Sequence, residues 1–259
     1  MFFNTYPLFN RGRILKLEML EQLRDFPRDF IDIVLSQYSD GIILGCDIKV
    51  NGDYIVISKG LIKHEDVMYM IKEDHSIPYR HTNDLAILKI RFLGETKNSD
   101  FIRYSTEIFI DENLEIQSDE MELCRFKVKM GAKLRGNYIN FQDMSTEYDT
   151  VNIINSPFAA YEKSSLSPEI LRNFAKEAFQ YNLTNALDIS FCMMCLQSPK
   201  VIERELILNY IAARLKILLR DYSNQQIYGH LVRILEDIKE GREILGSHGR
   251  IGYKKILVD

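Results

Sequence analysis

Apolar residues recur at helical spacing between positions 13 and 37: Ile14, Leu17 and Leu20 first, then Phe30, Ile33, Val34 and Leu35. Pro27 interrupts the series, so the pattern predicts two short helices, with Asp25 capping the second. Tyr38-Ser39-Asp40-Gly41 reads as a turn, and beyond it the period shortens to that of strands. Ile48 and Val50, then Tyr54 to Ile57, predict a hairpin closed by Asn51-Gly52, because an Asn-Gly pair tolerates the positive φ of a tight turn. Further strands are expected at Val67–Ile71, Leu85–Phe92, Tyr104–Ile110 and Glu122–Val128. About six strands at roughly ten-residue intervals, with no helical pattern between them, predict an antiparallel sandwich or barrel.

The texture changes again after residue 135. Asn, Asp, Ser, Tyr and Thr dominate 136–165, which reads as a linker with one strand at Val151–Ile154. Ser167-Pro168-Glu169 then has the order of a helix start: a hydroxyl cap, a proline at the first helical position and an acid in the first turn. Apolar residues at 170, 171, 174, 175, 178 and 179 carry that helix, and 186–197 carries a second, more buried one. Ser198-Pro199 repeats the cap-plus-proline signal ahead of a helix over Val201–Leu219, and a last helix is expected from about Gln225 to Leu245. The class is α+β: N-terminal helices (1–40), an antiparallel β module (41–135), the linker (136–165), a helical domain (166–245) forming a bundle, and a C-terminal tail (246–259). The tail is glycine-rich and then apolar at Ile256, Leu257 and Val258, which suits a strand or peg that docks on another surface.

Composition narrows the function. Lys and Arg number 33 against 37 Asp and Glu, a formal charge of −4, so the excess of cations that grips a phosphate backbone is missing and no nucleic-acid partner is expected. No apolar run approaches the roughly 18–20 residues of a membrane helix, and Met1 to Leu15 is too interrupted for a secretory signal. The chain reads as made in the cytoplasm, from which it could leave by lysis within a larger particle.

The candidate chemistry is thin. Cys192-Met-Met-Cys195 is the CxxC of the chain, but it lies inside a helical pattern and has no second ligand pair, so it reads as buried core rather than redox or zinc chemistry. His64, His75, His81, His230 and His248 form no pair at helical ligand spacing, and His75 and His81 read as loop residues. Gly246 to Gly252 follows a helix instead of opening one, so it offers a phosphate no helix N-terminus. Asp111, Glu112, Asp119, Glu120 and Glu122 read as solvated hairpin acids, not as a glycosidase pair, and Arg214, Lys216 and Arg220 as a solvated helix face. The expectation is a non-catalytic protein with no catalytic residue, cofactor, metal ligand or small-molecule substrate assigned.

A family resemblance goes further. Gly41-Ile42-Ile43-Leu44-Gly45-Cys46-Asp47 resembles the opening of β modules near the N-termini of phage tail-fibre and baseplate proteins. The motifs that follow in such modules are matched in order by Ile48–Val50, Tyr54–Ile57, Gly60, Ile77-Pro78, Thr82-Asn83, Leu85 to Ile90, Glu122 to Phe126 and Gly131-Ala132. The match covers residues 41–135, and the chain also looks similar to proteins of clostridial prophage and phage-tail-like bacteriocin clusters. The resemblance implies a structural component of a phage-like contractile tail, at the baseplate periphery or as a tail-fibre adaptor. It also implies other tail and baseplate proteins as partners, and a homo-oligomer with a trimer favoured. The chain departs from tail fibres in having a helical region where they run into a fibrous shaft. A cytoplasmic regulatory or assembly-chaperone protein stays open as an alternative, as does an enzyme acting on polysaccharide or nucleic acid.

Overall fold

The Asn51-Gly52 hairpin forms as its sequence requires. In the computed structural model, which describes residues 1–82, 84–198 and 201–242, β2 (Ile48–Asn51) pairs antiparallel with β3 (Tyr54–Ile57), and Gly52 takes φ of 59°. β6 (His75–Pro78) adds to the other side of β3. A second sheet runs β1 (Gly41–Gly45), β4 (Gly60–His64), β5 (Val67–Ile71), and a third has β7 (Ala86–Lys97) between β8 (Ile102–Asp111) and β9 (Glu120–Phe126). The expected sandwich or barrel is therefore three small antiparallel sheets, with no closed barrel among the described residues. Breaks in register at Ile42/Leu44, Leu88/Lys89 and Phe92/Glu95 mark bulges in β1, β9 and β7 respectively. Phe92 of β7 stacks on His64 at 3.9 Å and meets Tyr69 at 4.9 Å, which joins the second sheet to the third.

Two glycines let β1 and β4 meet closely. Gly45 has φ of +66°, and a Cβ there would land on the Lys59 carbonyl oxygen and within 2.9 Å of Gly60 Cα. Gly45→Ala is expected to cost about 2–4 kcal/mol through left-handed strain and backbone overlap. A shift of the urea midpoint at unchanged slope would show it, whereas a loss under about 1 kcal/mol would mean that the turn relaxes around the methyl group.

The stretch 136–165, expected as a linker, carries Phe141, Met144, Val151, Ile153, Ile154, Ala159 and Ala160 into the core. Asp143 organises its first half. It accepts both Arg135 Nη atoms, at 2.6 and 2.7 Å, and the Ile139 N–H at 2.8 Å. The Arg135 guanidinium, with the Ile139 N–H and the Thr146 hydroxyl, holds the Asp143 carboxyl down at about 2. Backbone bonds Ile42 N–H to Pro157 O and Ala159 N–H to Ile42 O, both 2.9 Å, seat the second half beside β1. A polar sequence can hide such a segment because its apolar residues follow neither the helical nor the strand period.

The helices are α2 (Pro168–Ala178), α3 (Ala186–Gln197), α4 (Arg204–Leu215) and α5 (Asn224–Lys239). Ser167 caps α2 through the Glu169 N–H, with Pro168 at the first helical position, and Asn185 caps α3 through the Leu187 N–H. Ser198 closes α3 rather than opening α4, and α4 starts after Glu203; Pro199 lies outside the described residues. Ser223 and Gln226 make a capping box on α5. Phe141 contacts Phe174 and Tyr228, and Phe191 stacks on Tyr210 at 3.8 Å. Buried residues from Ile42 to Ile238 form one continuous core, so the β region and the helices fold against each other. The tail from residue 243 onward, including Ile256, Leu257 and Val258, lies outside the described residues, as does Asn83.

Candidate assembly surface

Residues 17–35 form one unbroken helix, α1 (Leu17–Leu35), where two were expected. Pro27 deprives the Leu23 carbonyl of its donor, and Asp25 is bidentate to Arg24, at 2.6 and 2.8 Å, instead of capping a second helix. The exposed helix has water to take up the freed carbonyl, so the proline need not break it. At its C-terminal end α1 is rooted by Lys63 of β4. Lys63 is buried, and its ammonium donates to the Leu35 and Tyr38 carbonyls at 3.1 and 2.7 Å, a cation placed where the helix dipole favours one.

No residue of α1 is buried. Leu17, Leu20, Leu23, Phe26, Phe30, Ile31, Ile33 and Val34 are all exposed, Phe30 by 61% and Ile33 by 74%. Glu21, Gln22 and Asp25 are part-covered, as are Met19 and Leu35, while Glu18, Arg24, Arg28, Asp29 and Asp32 are exposed along with the apolar residues. Arg28 of α1 acts electrostatically on Tyr104, a residue of the β7–β8 hairpin. That hairpin projects from the core, with Leu93, Phe101, Ile102 and Tyr104 exposed near its end. Helix and hairpin thus each expose several large apolar side chains, a number that invites cover by another protein surface.

The weighed chemical candidates take other places. Cys192 and Cys195 are buried on α3, and burial pushes the Cys192 thiol up to about 12 and Cys195 upward as well. His64 stacks on Phe92, while His75 and His81 are exposed 6 residues apart in sequence. Among the described residues no three His, Cys, Asp or Glu side chains converge on a metal position, and no helix is long and apolar enough to cross a membrane.

Three of the charges read as solvated, Glu120, Glu122 and Arg214, are buried, while Glu112, Asp119, Lys216 and Arg220 are exposed as expected. Glu120 and Glu122 are buried: Glu120 pairs with Lys89 and Arg91, and Glu122 with Arg125. Arg214 is buried against Asp188, while Arg220 is exposed and lies over the Tyr222 ring at 4.9 Å. A cleft of about 530 Å³ is lined by Lys163, Arg204, Asp221 and Asn224. Lys163 and Arg204 both bond Asp221 there at 2.9 Å, and Arg204 also bonds Asn224 at 2.8 Å. Gly246 to Gly252 and His248 lie outside the described residues.

No protein-family model matches the chain, and no curated protein sequence matches it. Among solved structures it is similar to TssK in a crystal structure, at 6% identity and a TM-score of 0.43, covering 92% of this chain and 72% of that one. It is similar to a chain of the type VI secretion system TssK-TssF-TssG baseplate subcomplex at 9% identity and a TM-score of 0.38, covering 90% and 99%. For a chain of the baseplate complex from the type VI secretion system the values are 9% and 0.42, covering 92% and 70%. The fold defines an α+β protein with a rooted helix whose apolar residues are exposed and with a projecting β7–β8 hairpin.

Proposed function

We propose that this chain is a structural component of a phage-like contractile tail, at the baseplate periphery or as a tail-fibre adaptor, that joins other tail proteins and self-associates. The observation that carries the reading is the open apolar surface of α1 and the β7–β8 hairpin, which is built for burial against protein. The motif resemblance supports the particular setting. Its fragments coincide with structural landmarks: Gly41 and Gly45 bound β1, Gly60 opens β4, Leu85 to Ile90 run into β7, and Glu122 to Phe126 lie in β9. Fibres of the resembling kind are generally trimers, which supports a trimer here.

Mass spectrometry of intact particles purified from the producing cell tests the role. The chain is expected in the particles at a fixed ratio to the other tail proteins. Its presence in the cell extract and absence from finished particles would overturn the reading in favour of an assembly chaperone or regulator.

A further inference from the structure

Helix α3 lacks the charged side that a surface helix carries. Its exposed positions include Leu187, Ser190, Met193, Met194, Leu196 and Gln197, and none of its exposed residues is charged. Phe179 and Tyr181, just ahead of it, are exposed as well. From position 178 to 199 the sequence holds one charged residue, Asp188, which is buried, in a chain of which 27% is charged. A helix apolar on all sides is normally covered, and depletion of charge with enrichment of methionine marks the centre of a protein interface. We infer that residues 243–259 of the same chain fold back over this side of α3 and cover it, with Tyr253, Ile256, Leu257 and Val258 as the apolar contacts.

Position and length select this occupant. The segment begins where α5 ends, and that end lies beside the uncharged side: Lys239 pairs with Glu177 at 2.6 Å and sits 5.7 Å from the centre of the Tyr181 ring. Arg242 is still tied to α5, its N–H donating to the Asp237 carbonyl at 2.9 Å. The opposite end of α5, at Asn224, shares a cleft with Ser39 and Asp40, so α5 carries the segment away from the root of α1 and towards α3. Residues 243–255 separate Arg242 from Ile256. Extended, they reach about 45 Å, against a length of roughly 18 Å for α3. Gly246, Gly249 and Gly252 are the residue type that a reversal of the chain requires. A segment tethered this close meets α3 at an effective concentration on the order of millimolar, ahead of a separate protein in solution. α3 is then closed to other proteins unless the segment is displaced. The inference does not rest on the contractile-tail role, because the assembly surface of α1 and the β7–β8 hairpin does not include α3.

Oxidation of methionine by dilute hydrogen peroxide, read by peptide mass spectrometry on the full chain, measures the cover. Met130, 83% exposed in a turn of the β region, is the internal reference. Met193 and Met194 should oxidise slowly against it in the parent. Ile256→Glu combined with Leu257→Glu should raise their rates about threefold or more while the Met130 rate stays fixed. An unchanged near-UV spectrum from the buried Tyr210 and Tyr228 checks that the core is kept. Proximity is read separately with a short bis-maleimide. The pair Met194→Cys, Ile256→Cys should be bridged within one copy, and the pair Leu23→Cys, Ile256→Cys should not. The native cysteines Cys46, Cys124, Cys192 and Cys195 are buried away from the reagent. Met193 and Met194 rates that keep pace with Met130 in parent and variant alike overturn the cover. A bridge that forms only between copies, or equally well from Leu23→Cys, overturns it too.

Discussion

Replacing Asp188 by alanine is expected to destabilise the protein by about 3–5 kcal/mol, because it strands a buried guanidinium. Asp188 lies in the first turn of α3 with 1% of its side chain exposed, and Arg214 of α4 has 4% exposed. The two carboxylate oxygens accept Arg214 Nε at 3.0 and 2.9 Å, and Oδ1 also accepts the Tyr210 hydroxyl at 2.9 Å. Without Asp188, the nearest acid to Arg214 is Asp237, 3.9 Å from Nη1, a nitrogen that already makes no hydrogen bond. Urea unfolding at pH 7 measures the loss. The double variant Asp188→Ala, Arg214→Met removes both charges and should recover much of it, since an apolar replacement of a buried pair is often near neutral. A single-variant loss below about 1 kcal/mol would mean that water reaches Arg214, and the double variant would then show no recovery.

That pair also shows where sequence reading stops. The start of α2, the span of α3 and the β2–β3 hairpin were legible, because Ser167-Pro168, Asn185 and Asn51-Gly52 act on their own backbone within a few residues. Arg214 and Glu120 were misread as solvated for the opposite reason. Their partners Asp188 and Lys89 are 26 and 31 positions away along the chain, and only the packed fold brings them together. Residues 136–165 failed likewise: their apolar members are called into the core by Arg135, β1 and the helices, not by a local period. For α1, periodicity showed that one side is apolar. It could not show that the chain leaves that side uncovered, which is the observation on which the functional reading depends.

Lys89→Met is expected to cost a further 3–5 kcal/mol or so, measured on its own, and its pH dependence separates charge from packing. Lys89 sits mid-strand in β7 with 1% of its side chain exposed, and methionine keeps most of its volume. Its ammonium donates to Asp111 at 3.0 Å and to the Glu115 carbonyl at 2.6 Å, and pairs with Glu120 at 3.2 Å. Backbone donation from Asn113, and then Lys89, hold Asp111 below the usual carboxylate range. Burial alone would raise Glu120, but hydrogen bonds from Arg91, the Gln117 N–H and Lys89 bring it below as well. Carboxyls depressed by folding stabilise the native state above their ordinary range, and that stability is lost as the pH falls through the folded values. In Lys89→Met both acids lose a cation and their folded values rise, so their contribution fades at higher pH than in the parent. The gap between parent and variant should therefore be widest near neutrality and should narrow as the pH falls below about 4 and through the parent's lowered folded values, beyond which both carboxyls are protonated and the parent is left with a buried ammonium and no counter-charge. A gap of constant size down to pH 3 would assign the loss to packing instead, and would make the ammonium incidental to the β7–β8–β9 sheet.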